Sequence, residues 1–314
     1  MLEEVERWLA DRSWSVGDRP LQRILAAKQR TGQTVSVVLP ALDEEETVGD
    51  IVAVIRQDLV ERVPLVDEIV VVDSGSTDRT SEVAARAGAR VVHRDEILPR
   101  IPAVPGKGEV LWRSLLVTGG DIVCFVDADL REFSSDFVRG IVGPLLTDPE
   151  VHLVKAMYDR PLGAAAGQGG RVTELMARPL LNMHWPRLAG FVQPLGGEYA
   201  ARRSLLERLP FPVGYGVELG MLVDALHLVG LDALAQVDVG VRRHRHQDGQ
   251  ALGRMAAAIY RTAQLRLARG HLVRPALTQF ERGPDGFEPR TYAVDTEERP
   301  PMLEIAEYAE RRVA

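Results

Sequence analysis

Residues 121–130 read DIVCFVDADL, an apolar run of strand length that stops at two aspartates. Similar runs occur at Val35–Leu39 and Glu68–Asp73, and each of these is followed by a stretch with apolar residues at helical spacing. Strands without polar alternation, separated by helices, are typical of parallel sheets that are covered on both faces. The sequence therefore predicts an α/β fold with a mainly parallel sheet, helices on both faces, and helical extensions at the N-terminus and C-terminus.

Polar side chains cluster where the predicted strands end, in the stretches Pro40–Glu46, Asp73–Asp78 and Asp127–Asp129. Because ligands bind beyond the carboxyl ends of the strands in such sheets, we expect a site at this edge. Two aspartates separated by one alanine repel each other unless a cation lies beside them. A hard divalent ion such as Mg²⁺ takes carboxylate oxygens as ligands. The alternative is a turn in which the aspartates cap the next helix.

The pattern along the chain predicts four segments. These are a helical extension (residues 1–33), a first half of the sheet domain (34–158), a second half (159–270) and a tail (271–314). Further strands are predicted at Ala89–His93, Val151–Met157 and Ala233–Val241. The stretch GFVQPLGGEY at 190–199 and the polar stretch Arg282–Pro301 are predicted to be loops, and Met302–Arg312 a closing helix.

Composition narrows the class of protein. The 314 residues are 46% hydrophobic and 26% charged, which argues against a largely disordered chain. The net charge of −7 argues against a general nucleic-acid binder. Apolar runs are far shorter than the ~18 residues that span a bilayer. The start, MLEEVERW, is unlike a secretory signal, and the single cysteine, Cys124, favours a buried structural side chain. We expect a cytoplasmic protein with no nucleic-acid or membrane partner.

Several motifs, taken in order, resemble one enzyme family. The stretches PALDEEE (40–46), VVDSGSTD (71–78) and FVDADL (125–130) are similar to the nucleotide-sugar half of GT-A glycosyltransferases, whose domain is Rossmann-like. PGKGEVLWRSL (105–115), GQGGRVTEL (167–175), QPLGGEYA (193–200), GYGVELG (214–220) and VRRHRH (241–246) extend the likeness to the retaining glucosyl-3-phosphoglycerate synthases. The resemblance covers about residues 2–252. It implies glucose transfer from UDP-glucose to the 2-hydroxyl of D-3-phosphoglycerate.

The same resemblance implies roles for individual residues. It assigns the uridine to residues 40–42 and Glu44, the base to Ser74, and the diphosphate to Lys107 and Arg242. The glucose hydroxyls fall to Leu195, Tyr215 and Glu218. The full set of donor residues is Pro40, Ala41, Leu42, Glu44, Ser74, Lys107, Asp127, Ala128, Leu195, Tyr215, Glu218 and Arg242, of which Glu218 and Arg242, with Asp129, are the expected catalytic residues.

The resemblance also implies a metal site and an acceptor site. Asp129 and His244 would hold Mg²⁺ or Mn²⁺, and a solvated histidine in a basic loop is the alternative for His244. The acceptor would contact Gly170, Arg171, Thr173 and His246. The residues support this independently, because a glycine run that opens a helix offers N–H groups to an anion, and arginine binds phosphate or carboxylate through two donors. A flexible loop before an ordinary helix start is the alternative.

Other functions stay open at this point. A mannosyl-3-phosphoglycerate synthase that uses GDP-mannose would carry the same motifs, because discrimination between sugar hydroxyls can depend on one or two contacts. A lipid-phosphate glycosyltransferase would bring membrane helices or an amphipathic anchor. A nucleotide-sugar sensor without turnover is disfavoured by Asp127, Asp129 and His244. The family resemblance suggests a homodimer.

Overall fold

The computed structural model of the protein describes residues 2–160, 170–242, 248–267, 276–283, 286–293 and 297–313. Helices and strands alternate through its first half. The helices there are α1 (Glu3–Arg12), α2 (Leu21–Thr31), α3 (Val48–Arg56), α4 (Thr80–Ala87), α5 (Lys107–Val117) and α6 (Asp136–Thr147). The strands are β1 (Ser13–Ser15), β2 (Val35–Ala41), β3 (Glu68–Asp73), β4 (Arg90–His93), β5 (Ile122–Phe125) and β6 (Leu153–Asp159).

The second half is less regular. Its helices are α7 (Arg178–His184), α8 (Arg203–Leu206), α9 (Val217–Val229), α10 (Gly249–Leu267) and α11 (Ala306–Val313). Its strands are β7 (Tyr199–Arg202), β8 (Phe211–Pro212), β9 (Leu234–Val241), β10 (Ala276–Gly283), β11 (Gly286–Ala293) and β12 (Glu298–Arg299). Among the described helices, none is both long enough and apolar enough to cross a membrane.

Eight strands form one sheet in the order β1-β9-β6-β7-β5-β2-β3-β4. All neighbouring strands are parallel except at β7, which runs antiparallel to both β5 and β6. The prediction of a mainly parallel sheet is therefore confirmed. The sheet is continuous from the predicted N-terminal extension, which supplies the edge strand β1, through both predicted halves. The four segment boundaries stay predictions.

The central strands are apolar on both faces because each face packs under its own layer of helices. Val37 and Leu39 of β2 belong to one buried layer, which includes residues of α3 and α6. Val38 of the same strand belongs to the opposite layer, which includes residues of α5 and α9. In β5, Cys124 and Phe125 divide between the two layers in the same way. Alternate side chains are buried on opposite sides, so polar alternation is absent from the sequence.

One strand was not predicted, and one loop prediction is wrong. The loop prediction for GFVQPLGGEY is confirmed except at its last residue, Tyr199, which begins the unpredicted strand β7. The alanines of β7 have low strand propensity, but its backbone pairs with strands on both sides. The stretch Arg282–Pro301 contains β11 and β12, which pair antiparallel with β10 and β8. Pro289 and the charged residues of β11 weaken the local strand signal. The closing helix starts at Ala306, after a 3₁₀ turn at Met302–Glu304.

Candidate active site

A cavity of about 880 Å³ opens at the carboxyl ends of β2, β3 and β5. Every predicted donor, acceptor and catalytic residue that the structure describes lines it. These residues are Pro40, Ala41, Leu42, Glu44, Ser74, Lys107, Asp127, Ala128, Asp129, Gly170, Arg171, Thr173, Leu195, Tyr215, Glu218 and Arg242. The fold thus brings residues from most of the chain to the edge where the sequence predicted a site. Their roles as contacts stay predictions.

The two aspartates of the D-A-D motif follow β5 and meet two cationic side chains. Lys107 Nζ lies 2.5 Å from Asp127 Oδ1. Arg242 Nη2 lies 2.7 Å from Asp127 Oδ2 and 3.4 Å from Asp129 Oδ1. Lys107 opens α5 and Arg242 follows β9, so the packing of separate elements brings both cations to the motif.

The surrounding charges shift the two carboxyl pKa values in opposite directions. Burial alone would raise the pKa of Asp127, but Lys107 and Arg242 outweigh it and hold that pKa well below its ordinary value. Burial and the neighbouring charge of Asp127 raise the pKa of Asp129. Asp129 therefore has less compensating positive charge around it than Asp127, and its side chain is the more exposed of the two.

Lys107 also contacts Glu218, the acidic residue in the first turn of α9. Its Nζ lies 2.9 Å from Glu218 Oε1. Burial alone would lower the pKa of Lys107, but Asp127 and Glu218 raise it well above its ordinary value, so the side chain stays cationic. Gly197 packs directly against this cluster, because a Cβ at that position would overlap both the Lys107 ammonium and the Asp127 carboxylate.

Glu198 is a functional-site residue that the motif analysis quoted within QPLGGEYA but did not assign. It is fully buried. Its Oε1 accepts from Arg242 Nε at 2.9 Å, and its Oε2 accepts from the Tyr158 hydroxyl at 2.8 Å. Arg242 is thereby fixed between Glu198 and the aspartates. Its Nη1 is buried without a hydrogen-bond partner among the described residues, so one donor is left for an anionic or hydroxyl group of a ligand.

The predicted nucleotide wall is built from the end of β2 and the turn after β3. The backbone N–H of Glu44 donates to Thr80 Oγ1 at 2.8 Å. Asp43 has a positive φ of 55°, and its carboxylate accepts from the Thr77 backbone N–H at 2.7 Å. The aspartate thereby joins the two turns. Ser74 lines the cavity beside them.

Further residues that line the cavity carry positive charge. Arg171 and Thr173 line it, next to Gly170, which has a left-handed φ of 77°. Two further arginines, Arg94 and Arg160, line the same cavity and were not singled out by the motifs. Arg160 follows β6, and its Nε is buried without a partner among the described residues. Recognising that β6 ends at this edge of the sheet would have identified it as a candidate for anion binding.

Two of the residues around the predicted metal site lie at the cavity. Asp127 and Asp129 present the hard oxygen donors that Mg²⁺ and Mn²⁺ prefer, and both line the cavity, so they fit such an ion. Among the described residues, no group of three histidine, cysteine or acidic side chains could hold a metal ion together. His244, the predicted further ligand, and His246, the predicted acceptor contact, lie outside the described residues.

Comparison with known proteins identifies relatives over almost the whole chain. The family model of glycosyl transferase family 2 matches residues 36–164. The glucosyl-3-phosphoglycerate synthase of Mycolicibacterium paratuberculosis is 51% identical over 96% of this chain and 92% of its own. The crystal structure of the Mycobacterium tuberculosis glucosyl-3-phosphoglycerate synthase, in complex with Mn²⁺, UDP and phosphoglyceric acid, matches with 47% identity and a TM-score of 0.80. That match covers 93% of this chain and 95% of the other.

A second solved structure is the mannosyl-3-phosphoglycerate synthase of Rubrobacter xylanophilus. It is 42% identical, with a TM-score of 0.89 over 96% of this chain and 97% of the other. The identity to the glucosyl enzymes, its extent and the shared GT-A architecture agree with the motifs around the cavity. The chain therefore belongs to the glucosyl-3-phosphoglycerate synthase family of glycosyltransferases.

Proposed function

We propose that the protein transfers glucose from UDP-glucose to the 2-hydroxyl of D-3-phosphoglycerate with retention of the anomeric configuration. One observation carries the proposal: a single cavity is lined by the Asp127–Asp129 pair with its two cations and also by Arg160 and Arg171. The aspartates and their cations suit a nucleotide diphosphate with a divalent ion, and the two arginines suit a small acid with two anionic groups. Relatives 48–51% identical are synthases of glucosyl-3-phosphoglycerate.

The donor half of the cavity is suited to stabilising a leaving group. Breaking the glycosidic bond leaves negative charge on the UDP diphosphate. In this proposal Lys107 and Arg242 lie beside that charge and stabilise it as it develops. Asp129, with His244, would hold Mg²⁺ or Mn²⁺, which supplies Lewis-acid neutralisation of the diphosphate when bound. Leu195, Tyr215 and Glu218 would orient the glucose.

The charges around the sugar favour a front-face route. Glu218 forms an ion pair with Lys107, so it is held as a partner of a cation rather than presented as a nucleophile. The acceptor hydroxyl would then attack from the side on which UDP leaves, and a diphosphate oxygen would take its proton as the new glycosidic bond forms. The anomeric configuration is retained because the new bond forms on the same face of the anomeric carbon from which UDP departs. The role of Arg171, Thr173 and Gly170 in this route is to hold the acceptor phosphate and carboxylate.

A mannosyl transfer is the second candidate. It is favoured by the TM-score of 0.89 to the Rubrobacter mannosyl-3-phosphoglycerate synthase, against 0.80 for the Mycobacterium glucosyl enzyme. The identity, 42% against 47%, favours the glucosyl reaction. Backbone similarity reports the fold, whereas sugar choice depends on single contacts, so the donor must be measured.

The test is a donor matrix with an acceptor control. The purified protein receives D-3-phosphoglycerate with UDP-glucose, GDP-glucose or GDP-mannose, with Mg²⁺ or Mn²⁺, or with EDTA. We expect an α-glucosylated product from UDP-glucose that EDTA abolishes, identified by mass and anomeric NMR coupling. A preference for GDP-mannose would move the activity to the mannosyl branch. No product from any donor would overturn the proposal.

The proposal also covers the oligomeric state and the location of the protein. We infer a homodimer from the family resemblance and from Leu175 and Met183, which are 79% and 71% exposed and lie about two helical turns apart. Light scattering on the purified protein tests this, and a monomeric mass would contradict it. We infer a cytoplasmic location from the buried, unpaired Cys124, since free thiols are kept in a reducing compartment, and cell fractionation would check it.

A further inference from the structure

The motif PGKGEVLWRSL contains buried residues that the donor site does not use. Glu109 and Arg113 are fully buried, one helical turn apart on α5. Arg113 Nε lies 2.7 Å from Glu109 Oε1. From the C-terminal region, Arg299 Nε reaches Glu109 Oε2 at 2.7 Å, and its Nη2 reaches Oε1 at 3.0 Å. One buried carboxylate is thus shared by two guanidinium groups, one from the helix and one from the distant strand β12.

The two arginines also hold the loop that leads into the donor wall. Arg113 donates to the carbonyl oxygens of Ile97, Leu98 and Ile101. Arg299 Nη2 donates to the carbonyl oxygen of Pro102 at 2.8 Å. This loop continues into Pro105, Gly106 and Lys107, which line the cavity. Glu109 therefore anchors a set of hydrogen bonds that fixes the backbone directly before Lys107.

The same C-terminal strand also supports the part of the cavity lining that includes Tyr215. β12 pairs with β8, and the Val213 N–H donates to the Glu297 carbonyl at 3.0 Å. The carbonyl oxygen of Val213 in turn accepts from the N–H of Glu109 at 3.2 Å. β8 continues into Gly214 and Tyr215 of the cavity wall. Residues 297–299 therefore touch the supports of both Lys107 and Tyr215 without reaching the cavity themselves.

We propose that Arg299 is a positioning residue for the nucleotide-sugar donor, which acts through Glu109 on Lys107. The C-terminal segment is then part of the donor site, although it lies outside the region that the glycosyltransferase model matches. A guanidinium is needed at residue 299 because it makes three hydrogen bonds, two to Glu109 and one to Pro102, in a fixed planar arrangement that an ammonium cannot reproduce. This inference rests on the proposed function, since it assigns Lys107 to the diphosphate.

The experiment compares Arg299→Lys and Arg299→Met with the wild type. We expect the apparent KM for UDP-glucose to rise about fivefold or more in both variants, while the KM for 3-phosphoglycerate changes less than about twofold. Arg12→Met is the matched control, because Arg12 forms a partly buried ion pair with Asp148 and belongs neither to the cavity lining nor to the loop before Lys107. It should leave both KM values unchanged.

A merely structural role would lower Tm in the Arg299 variants and leave the donor KM of the folded enzyme as in the wild type, and that result would overturn the proposal. A double-mutant cycle with Lys107→Met gives a second test. If Arg299 acts through Lys107, the two losses in UDP affinity are strongly non-additive in calorimetry, whereas uridine affinity hardly changes. Additive losses would contradict it. Wild-type turnover is the internal reference, because its absence would reject the proposed function rather than the role of Arg299.

Discussion

At the scale of single residues, Arg242 donates to three carboxylates, and the fully buried Glu198 is the partner that fixes its Nε. Replacing Glu198 by glutamine keeps the shape of the side chain but removes the negative charge that neutralises the Arg242 guanidinium. We expect kcat/KM for UDP-glucose to fall about tenfold, because a hydrogen bond to a charged group is worth about 1.5–3 kcal/mol. Steady-state kinetics with each substrate varied in turn measures the loss.

The control is Glu207→Gln. Glu207 is also a buried carboxylate that accepts from a tyrosine hydroxyl, that of Tyr308 at 2.9 Å. Tyr308 does not line the cavity, whereas Arg242, the partner of Glu198, does. It should lower Tm without changing kcat/KM of the folded enzyme. Equal kinetic losses in the two variants would show that Glu198 acts through general stability and not through Arg242.

At the scale of elements, the sequence predicted the strands that are buried by their own apolar side chains and missed a central strand, β7, that is held by its neighbours. β2, β3 and β5 are rich in valine and isoleucine, so their type follows from composition. β7 reads YAAR and is a strand because β5 and β6 pair with it on both sides. Residues 199–202 form a strand because of their tertiary contacts, and a local sequence pattern holds no information about these.

That element explains which site residues the sequence missed. β7 is antiparallel, so its first residue, Tyr199, pairs with Phe125 at the carboxyl end of β5. The residues before β7, including Glu198, therefore arrive at the edge where the aspartates lie. Asp127 and Asp129 could be predicted because they follow an apolar strand directly. Glu198 could not, because its position depends on the direction of a strand that local propensity did not reveal.

The close packing between α5 and β8 predicts that a side chain at Gly108 destabilises the protein. Gly108 in the first turn of α5 lies so close to β8 that a Cβ would overlap the carbonyl oxygen of Pro212. Because backbone cannot move aside as a side chain can, Gly108→Ala should destabilise the protein by about 3 kcal/mol and raise the donor KM. Gly249→Ala, at the start of α10, is the control and should not destabilise, because no other part of the described chain lies within 4 Å of the added Cβ. Urea unfolding compares them, and equal stability of the two variants would contradict the prediction.

At the scale of the whole molecule, positive charge is carried almost entirely by arginine, since only three of the 38 lysine and arginine residues are lysines. One of these, Lys155 of β6, is buried. Its Nζ donates to the Gly196 carbonyl at 2.7 Å and lies 4.9 Å from the centre of the Tyr199 ring. Burial lowers the pKa of Lys155 to about 8, against the opposing attraction of Glu218. The pH dependence of stability, compared between the wild type and a variant without this amine, should therefore report on Lys155.

The sign follows from proton linkage. The unfolded chain holds the Lys155 proton up to a pH of about 10.4, whereas the folded protein releases it near pH 8, so the unfolded state binds more protons between these values. The contribution of Lys155 to the free energy of unfolding is therefore lowest below pH 8 and rises with pH between about 8 and about 10.4. The free energy of unfolding of the wild type, relative to Lys155→Met, should increase by about 2 kcal/mol between pH 7 and pH 9.5. Urea unfolding of both proteins at the two pH values measures the difference. A difference that does not change with pH would mean that Lys155 remains charged in the folded protein, held by Glu218 in spite of its burial.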